Sequence, residues 1–203
     1  MDVVNRSLRQ RRADLTESAI LEAARSLFRL RGYAGTTIEQ VAAEAGTATS
    51  TVYAVFGNKR EVLAQLRWRA VKAADIPDIE AIVPPGAPAA ERLRLLAGAF
   101  RRLYEAANDV FVVQRAAADA DPEIAANWSA ARSDRRAHLE RILIPAAPSF
   151  SSGRSLRRAA DIVDALLEFH LYEELVVRDG WSADEYEEWL GDTLVAQVLV
   201  SKP

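Results

Sequence analysis

Two histidines and no cysteine limit the metal and thiol chemistry open to this 203-residue chain. His170 and Glu174 stand one helical turn apart, a spacing that would put an imidazole and a carboxylate on one metal ion. No third ligand accompanies them, so an ordinary histidine is the expectation and no metal is assigned. The serines lack the G-x-S-x-G setting of an activated hydroxyl. No glycine-rich loop is arranged to cradle a phosphate. Neither a catalytic centre nor a cofactor is expected.

Charge offers more. Residues 1–60 carry nine Lys/Arg against six Asp/Glu, whereas the rest carries 17 against 23. A basic head on an acidic body points the head toward nucleic acid. Arg6, Arg9, Arg11 and Arg12 crowd the first twelve residues, where a short basic arm can enter a minor groove. That stretch has no apolar core, so it does not read as a secretory signal. No apolar run is long enough to span a bilayer. The absence of cysteine fits a reducing compartment. A cytoplasmic protein with no membrane contact is expected.

The elements that must position these groups are helical. Apolar residues recur at helical spacing, with alanine and leucine abundant and glycine scarce. Nine helices are predicted, at roughly 15–31, 37–45, 49–56, 59–75, 89–107, 109–120, 122–143, 155–178 and 183–200. Asp14 with Glu17, Thr36 with Glu39, Asn58 with Glu61 and Ser182 with Glu185 have the spacing of capping boxes at helix starts. Pro77, the Pro84–Pro88 stretch, Pro145–Gly153 and Arg178–Ser182 separate the later helices. The fold class is all-α, with an N-terminal arm and helix-turn-helix domain over 1–60 and a second helical domain over 61–203.

Helix-turn-helix geometry follows from particular residues. Ile20, Ala24, Leu27 and Phe28 face the core from helix one, and Ile38, Val41, Ala42 and Ala45 from helix two. A close crossing needs a small residue, which Ala42 supplies, and the turn needs positive φ, which Gly46 supplies. Val52 and Val55 are expected to face back onto helix two. Thr49, Ser50, Tyr53 and Ala54, with Ala48 and Thr51 beside them, then face a major groove. None of these makes the forked arginine–guanine or asparagine–adenine pair, so readout by methyl groups, hydroxyls and DNA shape is expected.

The segments Gly32–Gly46 and Thr51–Leu63 resemble the two halves of the TetR-family motif, over about residues 14–66. The resemblance implies that Thr36 and Thr37 hydrogen-bond phosphate, that Tyr53 reaches the DNA backbone, and that Lys59 adds a cationic contact. Where that family often has Val-Ser-Lys after the turn glycine, this chain has Thr47-Ala48-Thr49, which leaves Thr47 or Thr49 to cap helix three.

The resemblance also implies a two-fold dimer through the helices at about 155–178 and 183–200, and a cavity for a small-molecule effector. Candidate lining residues are Trp68, Phe100, Tyr104, Phe111, Gln114, Arg115, Trp128, His138, Phe169 and His170. Helix four is expected to link the DNA-binding end to the sensing body. The function implied is repression from a palindromic double-stranded operator, relieved by the effector.

Overall fold

A computed structural model describes residues 2–75, 81–151 and 153–200, with side chains from Gln10 onward. Pro77 lies outside the described residues, as do the side chains of Arg6 and Arg9. The described residues are all-α apart from one isolated bridge between Phe150 and Leu199. They fall into two compact units. One holds residues up to Arg69 together with Asp109–Ala126, and the other holds Ala70–Asn108 with the residues from Asn127 on.

The first unit contains α1 (Asp2–Arg31), α2 (Ile38–Glu44), α3 (Thr49–Phe56) and most of α4 (Lys59–Ala73). The end of α5 (Ala89–Ala118) and the start of α6 (Pro122–Leu143) complete it. Ile20, Ala24, Phe28, Val41, Ala42, Val52, Val62 and Leu63 are buried here. The compact unit therefore extends beyond a cut at residue 60, and named contacts show why. Arg25 grips Asp109 with two bonds of 2.7 Å, and Arg29 stands 3.8 Å from the same carboxylate. Arg60 reaches Asp121 at 3.4 Å and Glu123 at 3.0 Å. Arg67 lies over the Phe111 ring.

Several predicted boundaries change. α1 begins at Asp2, because residues 2–14 contain neither glycine nor proline and simply continue the helix. Asp14 therefore caps nothing; its carboxylate accepts from Gln10 and its carbonyl from Ser18 Oγ. The two helices expected over 89–107 and 109–120 are one. Asn108 and Asp109, polar enough to suggest a break, instead find tertiary partners in Glu173 and Arg25. The Asn58 and Ser182 caps form, since the Glu61 and Glu185 amides donate to their side chains.

The second unit contains the rest of α5 and α6 and a 3₁₀ turn (Ile144–Ser149). α7 (Leu156–Leu166), α8 (Phe169–Tyr172), a π-helical stretch (Glu173–Arg178) and α9 (Ala183–Val198) follow. The single helix expected over 155–178 is thus interrupted at Leu167–Glu168. Its core joins Leu93, Leu96, Tyr104, Leu139, Leu143, Val163, Leu167, Tyr186, Leu190 and Leu194. α9 approaches α5 closely at Gly191, where a Cβ would meet Arg94 Cγ at 3.2 Å. Arg92, 4% exposed, donates to the carbonyls of Pro84, Pro85, Ala87 and Ile142.

Asp109 makes stability depend on acidity. Burial alone would raise its carboxyl, but the Arg25 hydrogen bonds and the charges of Arg25 and Arg29 outweigh burial and hold it below the ordinary carboxylate value. Its folded value is therefore lower than its unfolded one. The contribution is complete above the unfolded value, about 3.9, and is lost as pH falls through the folded value. Urea midpoints are expected to drop below about pH 4, and the drop should be shallower in Asp109→Asn. An equal drop in both proteins would remove Asp109 from the acid transition.

Candidate nucleic-acid interface

α2 starts at a capping box set one residue later than predicted. Thr37 is the N-cap; its Oγ1 accepts from the Gln40 amide at 3.3 Å, and Gln40 Oε1 accepts from the Thr37 amide at 3.0 Å. The Thr37 side chain is exposed and keeps its own proton to donate. Thr36 differs. It is 0% exposed and its hydroxyl donates to the carbonyls of Gly32 and Leu27. The expected phosphate contact by Thr36 is corrected to a core role, because its hydroxyl closes the turn between α1 and α2.

Gly46 has φ +63°, as the tight turn requires. The Thr47 amide then returns to the Ala42 carbonyl at 2.9 Å. Ala48 is the N-cap of α3 and makes no side-chain cap bond, so neither Thr47 nor Thr49 takes that role. Val52 and Phe56 face inward at 1% and 7% exposure. Val55 is 45% exposed, contrary to expectation. An eight-residue helix crossing its neighbour at one point buries a single i, i+4 stripe, here 52 and 56.

The opposite face is open. Ser50, Ala48 and Ala54 are exposed, Tyr53 is 48% exposed, and Thr49 and Thr51 are half-buried. Arg11 and Arg12 are exposed on α1.

Lys59 is turned inward. Its Nζ donates to the carbonyls of Tyr33 and Thr36 at 2.8 Å each and lies 4.2 Å from the centre of the Tyr33 ring. Burial lowers its pKa, and burial pushes the Tyr33 phenol up to about 12. The ammonium therefore ties the start of α4 to the turn between α1 and α2. Sequence reasoning also missed Arg60, which fastens the start of α4 to Asp121; Asp121 in turn caps α6 by accepting from the Glu123 and Ile124 amides. No local signal marks such a long-range partner. The Thr37–Gln40 box was legible as a T-x-x-Q spacing.

The effector candidates scatter. In the first unit, Trp68 is 56% exposed and Arg115 pairs with Asp119, whereas Phe111 and Gln114 are buried and Gln114 Oε1 has no hydrogen-bond partner among the described residues. In the second, Phe100, Tyr104 and Phe169 are buried. Phe100 meets Tyr104 at 5.9 Å between ring centres, and Trp128 meets Phe169 edge-on at 5.8 Å. His170 is exposed beside Phe169, and His138 Nδ1 lies 2.7 Å from the Asp134 carbonyl.

Residues 20–66 match the family model of bacterial regulatory proteins, tetR family. No curated protein matches the chain. Solved structures share the fold at low identity. A tetR-family regulatory protein from Rhodococcus RHA1 superposes with a TM-score of 0.75 at 18% identity, over 92% of this chain and 98% of that one. NalD of Pseudomonas aeruginosa, the secondary repressor of the MexAB-OprM multidrug efflux pump, gives 0.71 at 18%, over 94% and 100%. FadR of Bacillus subtilis, solved with stearoyl-CoA, gives 0.70 at 18%, over 89% and 98%. Residues 20–66 thus form a helix-turn-helix of the tetR-family kind, and the described residues as a whole share the fold of those regulators.

Proposed function

We propose that the protein acts as a homodimeric repressor that binds a near-palindromic operator and is released by a small-molecule effector. One observation carries the reading: α3 buries Val52 and Phe56 while leaving Ser50, Tyr53 and Ala54 uncovered. A short helix held from behind with a small, hydroxyl-bearing outer face suits a major groove. Thr37 and Tyr53 would position the backbone, and Thr49, Ser50, Thr51 and Ala54, with Ala48 at the entry, would meet base edges. Arg6, Arg9, Arg11 and Arg12 would reach phosphate or minor groove from the α1 extension.

Dimerisation is assigned to α7 through α9. Val177 is 57% exposed, and Leu171, Leu175, Val176 and Trp189 are only partly covered. Two recognition helices about 34–36 Å apart would then read successive turns of DNA. The effector is assigned to the body, with Phe100, Tyr104, Trp128 and Phe169 as the lining it would meet. FadR, which shares the fold, was solved with stearoyl-CoA, so the fold accommodates a small-molecule complex.

Selection of duplexes from a random-sequence pool tests the reading. A two-fold motif with half-sites about one helical turn apart is expected, bound by a dimer in sedimentation. Enrichment of nothing, or of single half-sites by a monomer, would sink it. Deleting residues 1–12 should weaken binding to the selected duplex and flatten its salt dependence, because phosphate contacts set that slope. Lys59→Met separates holding from touching. It should weaken binding with the salt slope unchanged, whereas a lost phosphate contact would lower the slope by about 0.9.

A further inference from the structure

The segment from Ser155 to Arg178 contains no glycine and no proline, and its apolar residues recur at helical spacing. Local preference therefore favours one unbroken helix. Instead α7 ends at Leu166, Leu167 has φ −87° and ψ 19°, and Glu168 is extended at φ −79° and ψ 138°. Helix resumes at Phe169 with no side-chain cap, then widens into π-helical form over Glu173–Arg178. The break leaves the first amides of α8 without helical acceptors. π-helical turns are rare and frequently mark functional sites.

What holds the break comes from other elements of the same unit. Tyr104 on α5 is 1% exposed and donates its hydroxyl to the Leu167 carbonyl that the break sets free. Arg135 on α6 bridges Asp164 at 2.7 Å and Glu168 at 2.5 Å, and Arg132 reaches the same two acids at 3.5 and 3.3 Å. The Trp128 ring meets Phe169 beyond the break.

We infer that residues 167–178 form a two-state segment: a broken form latched by the Tyr104 hydroxyl on Leu167, and a continuous α-helical form adopted when that latch opens. Rewinding Glu168 turns everything downstream, since each helical residue advances the chain by about 100°. The side chains re-aimed are Leu171, Leu175, Val176 and Val177. Those belong to the subunit contact proposed above, and for its output the inference rests on that reading. Any group that competes for the Tyr104 hydroxyl or the Leu167 carbonyl would select between the two forms.

Tyr104→Phe removes one oxygen and keeps the ring. Amide hydrogen exchange on the full chain should slow at residues 168–170, which gain helical acceptors, with the melting temperature little changed. Glu168→Ala removes the carboxylate that ties residue 168 to Arg135 and Arg132, both of which keep Asp164, favours helix, and should give the same slowing from the other side of the latch. A hydrogen bond that only stabilises the fold predicts the reverse, faster exchange across 165–178 and a lower melting temperature. That result, or unchanged exchange in both variants, overturns the inference. Sedimentation of Tyr104→Phe should show the dimer dissociation constant shifted about tenfold or more. Slowed exchange with an unshifted constant overturns the switch as a control of dimerisation. A wild-type chain that stays monomeric would refute the dimer reading instead, and exchange would still decide the latch.

Discussion

Arg92→Met is expected to lower the stability of the protein by about 3 kcal/mol, a fall of about 6–12 °C in melting temperature for a chain of this size. The residue is 4% exposed, and among the described residues its guanidinium donates only to neutral backbone carbonyls: Ala87 at 2.9 Å, Pro84 at 3.3 Å, Ile142 at 3.5 Å, and Pro85. Replacing a whole buried ion pair by apolar residues is often neutral. This case differs, because the substitution removes the donors and leaves the acceptors in place. Pro84 and Pro85 are exposed residues, so water can take over part of their need. That is why the expected loss stays well below the sum of four orphaned groups. Ile142 is buried in the last turn of α6, where the helix dipole favours a cation, and its carbonyl gains no such substitute. Arg92→Lys keeps the charge but has a single nitrogen to serve acceptors lying on both sides of the fork. It should recover less than half of the loss. Thermal melting decides the matter, and a loss in Arg92→Met below about 1 kcal/mol would mean that the proline loop does not depend on this side chain.

Arg92 illustrates what sequence can and cannot display. The helix-turn-helix was legible because its constraints are local: Gly46 must take positive φ, Ala42 must be small, and Val52 must face back, all within a dozen residues. The errors inside it are also local in scale. Thr36 and Thr37 are adjacent and both suit a cap, and only the fold shows that the first is sealed beneath the Gly32 and Leu27 carbonyls. Val55 satisfied an apolar pattern that an eight-residue helix had no neighbour to use. Larger departures arise where a distant partner overrides local preference. Asn108 and Asp109 look like a break until Glu173 and Arg25 take their side chains. Residues 155–178 look like one helix until Tyr104 claims the Leu167 carbonyl. Arg92 sits at the start of α5 just after the proline turn that supplies three of its acceptors, and nothing in its neighbourhood announces the fourth, the distant Ile142 carbonyl.

The same contrast between local and distant support sets the strongest test of the interface. Ser50→Glu is expected to weaken binding to the selected duplex by at least about a hundredfold, because like charges brought together at an interface cost several kcal/mol. Its effect on folding should have the opposite sign. Ser50 is exposed in the first turn of α3, whose N-cap, Ala48, offers no side-chain acceptor. A carboxylate at that position faces the positive end of the helix dipole and typically stabilises by about 0.3–1 kcal/mol. Val52 and Phe56, on the inner face, are untouched. The melting temperature should therefore hold or rise while DNA affinity collapses. That combination is hard to produce by misfolding. Ser50→Ala gives the complementary measurement: it removes a hydroxyl without adding charge, and it should weaken binding to the selected duplex while having little effect on duplexes altered at the base pair that Ser50 meets. If Ser50→Glu binds the selected duplex as tightly as the parent at low and moderate salt, the outer face of α3 is not where this protein meets DNA.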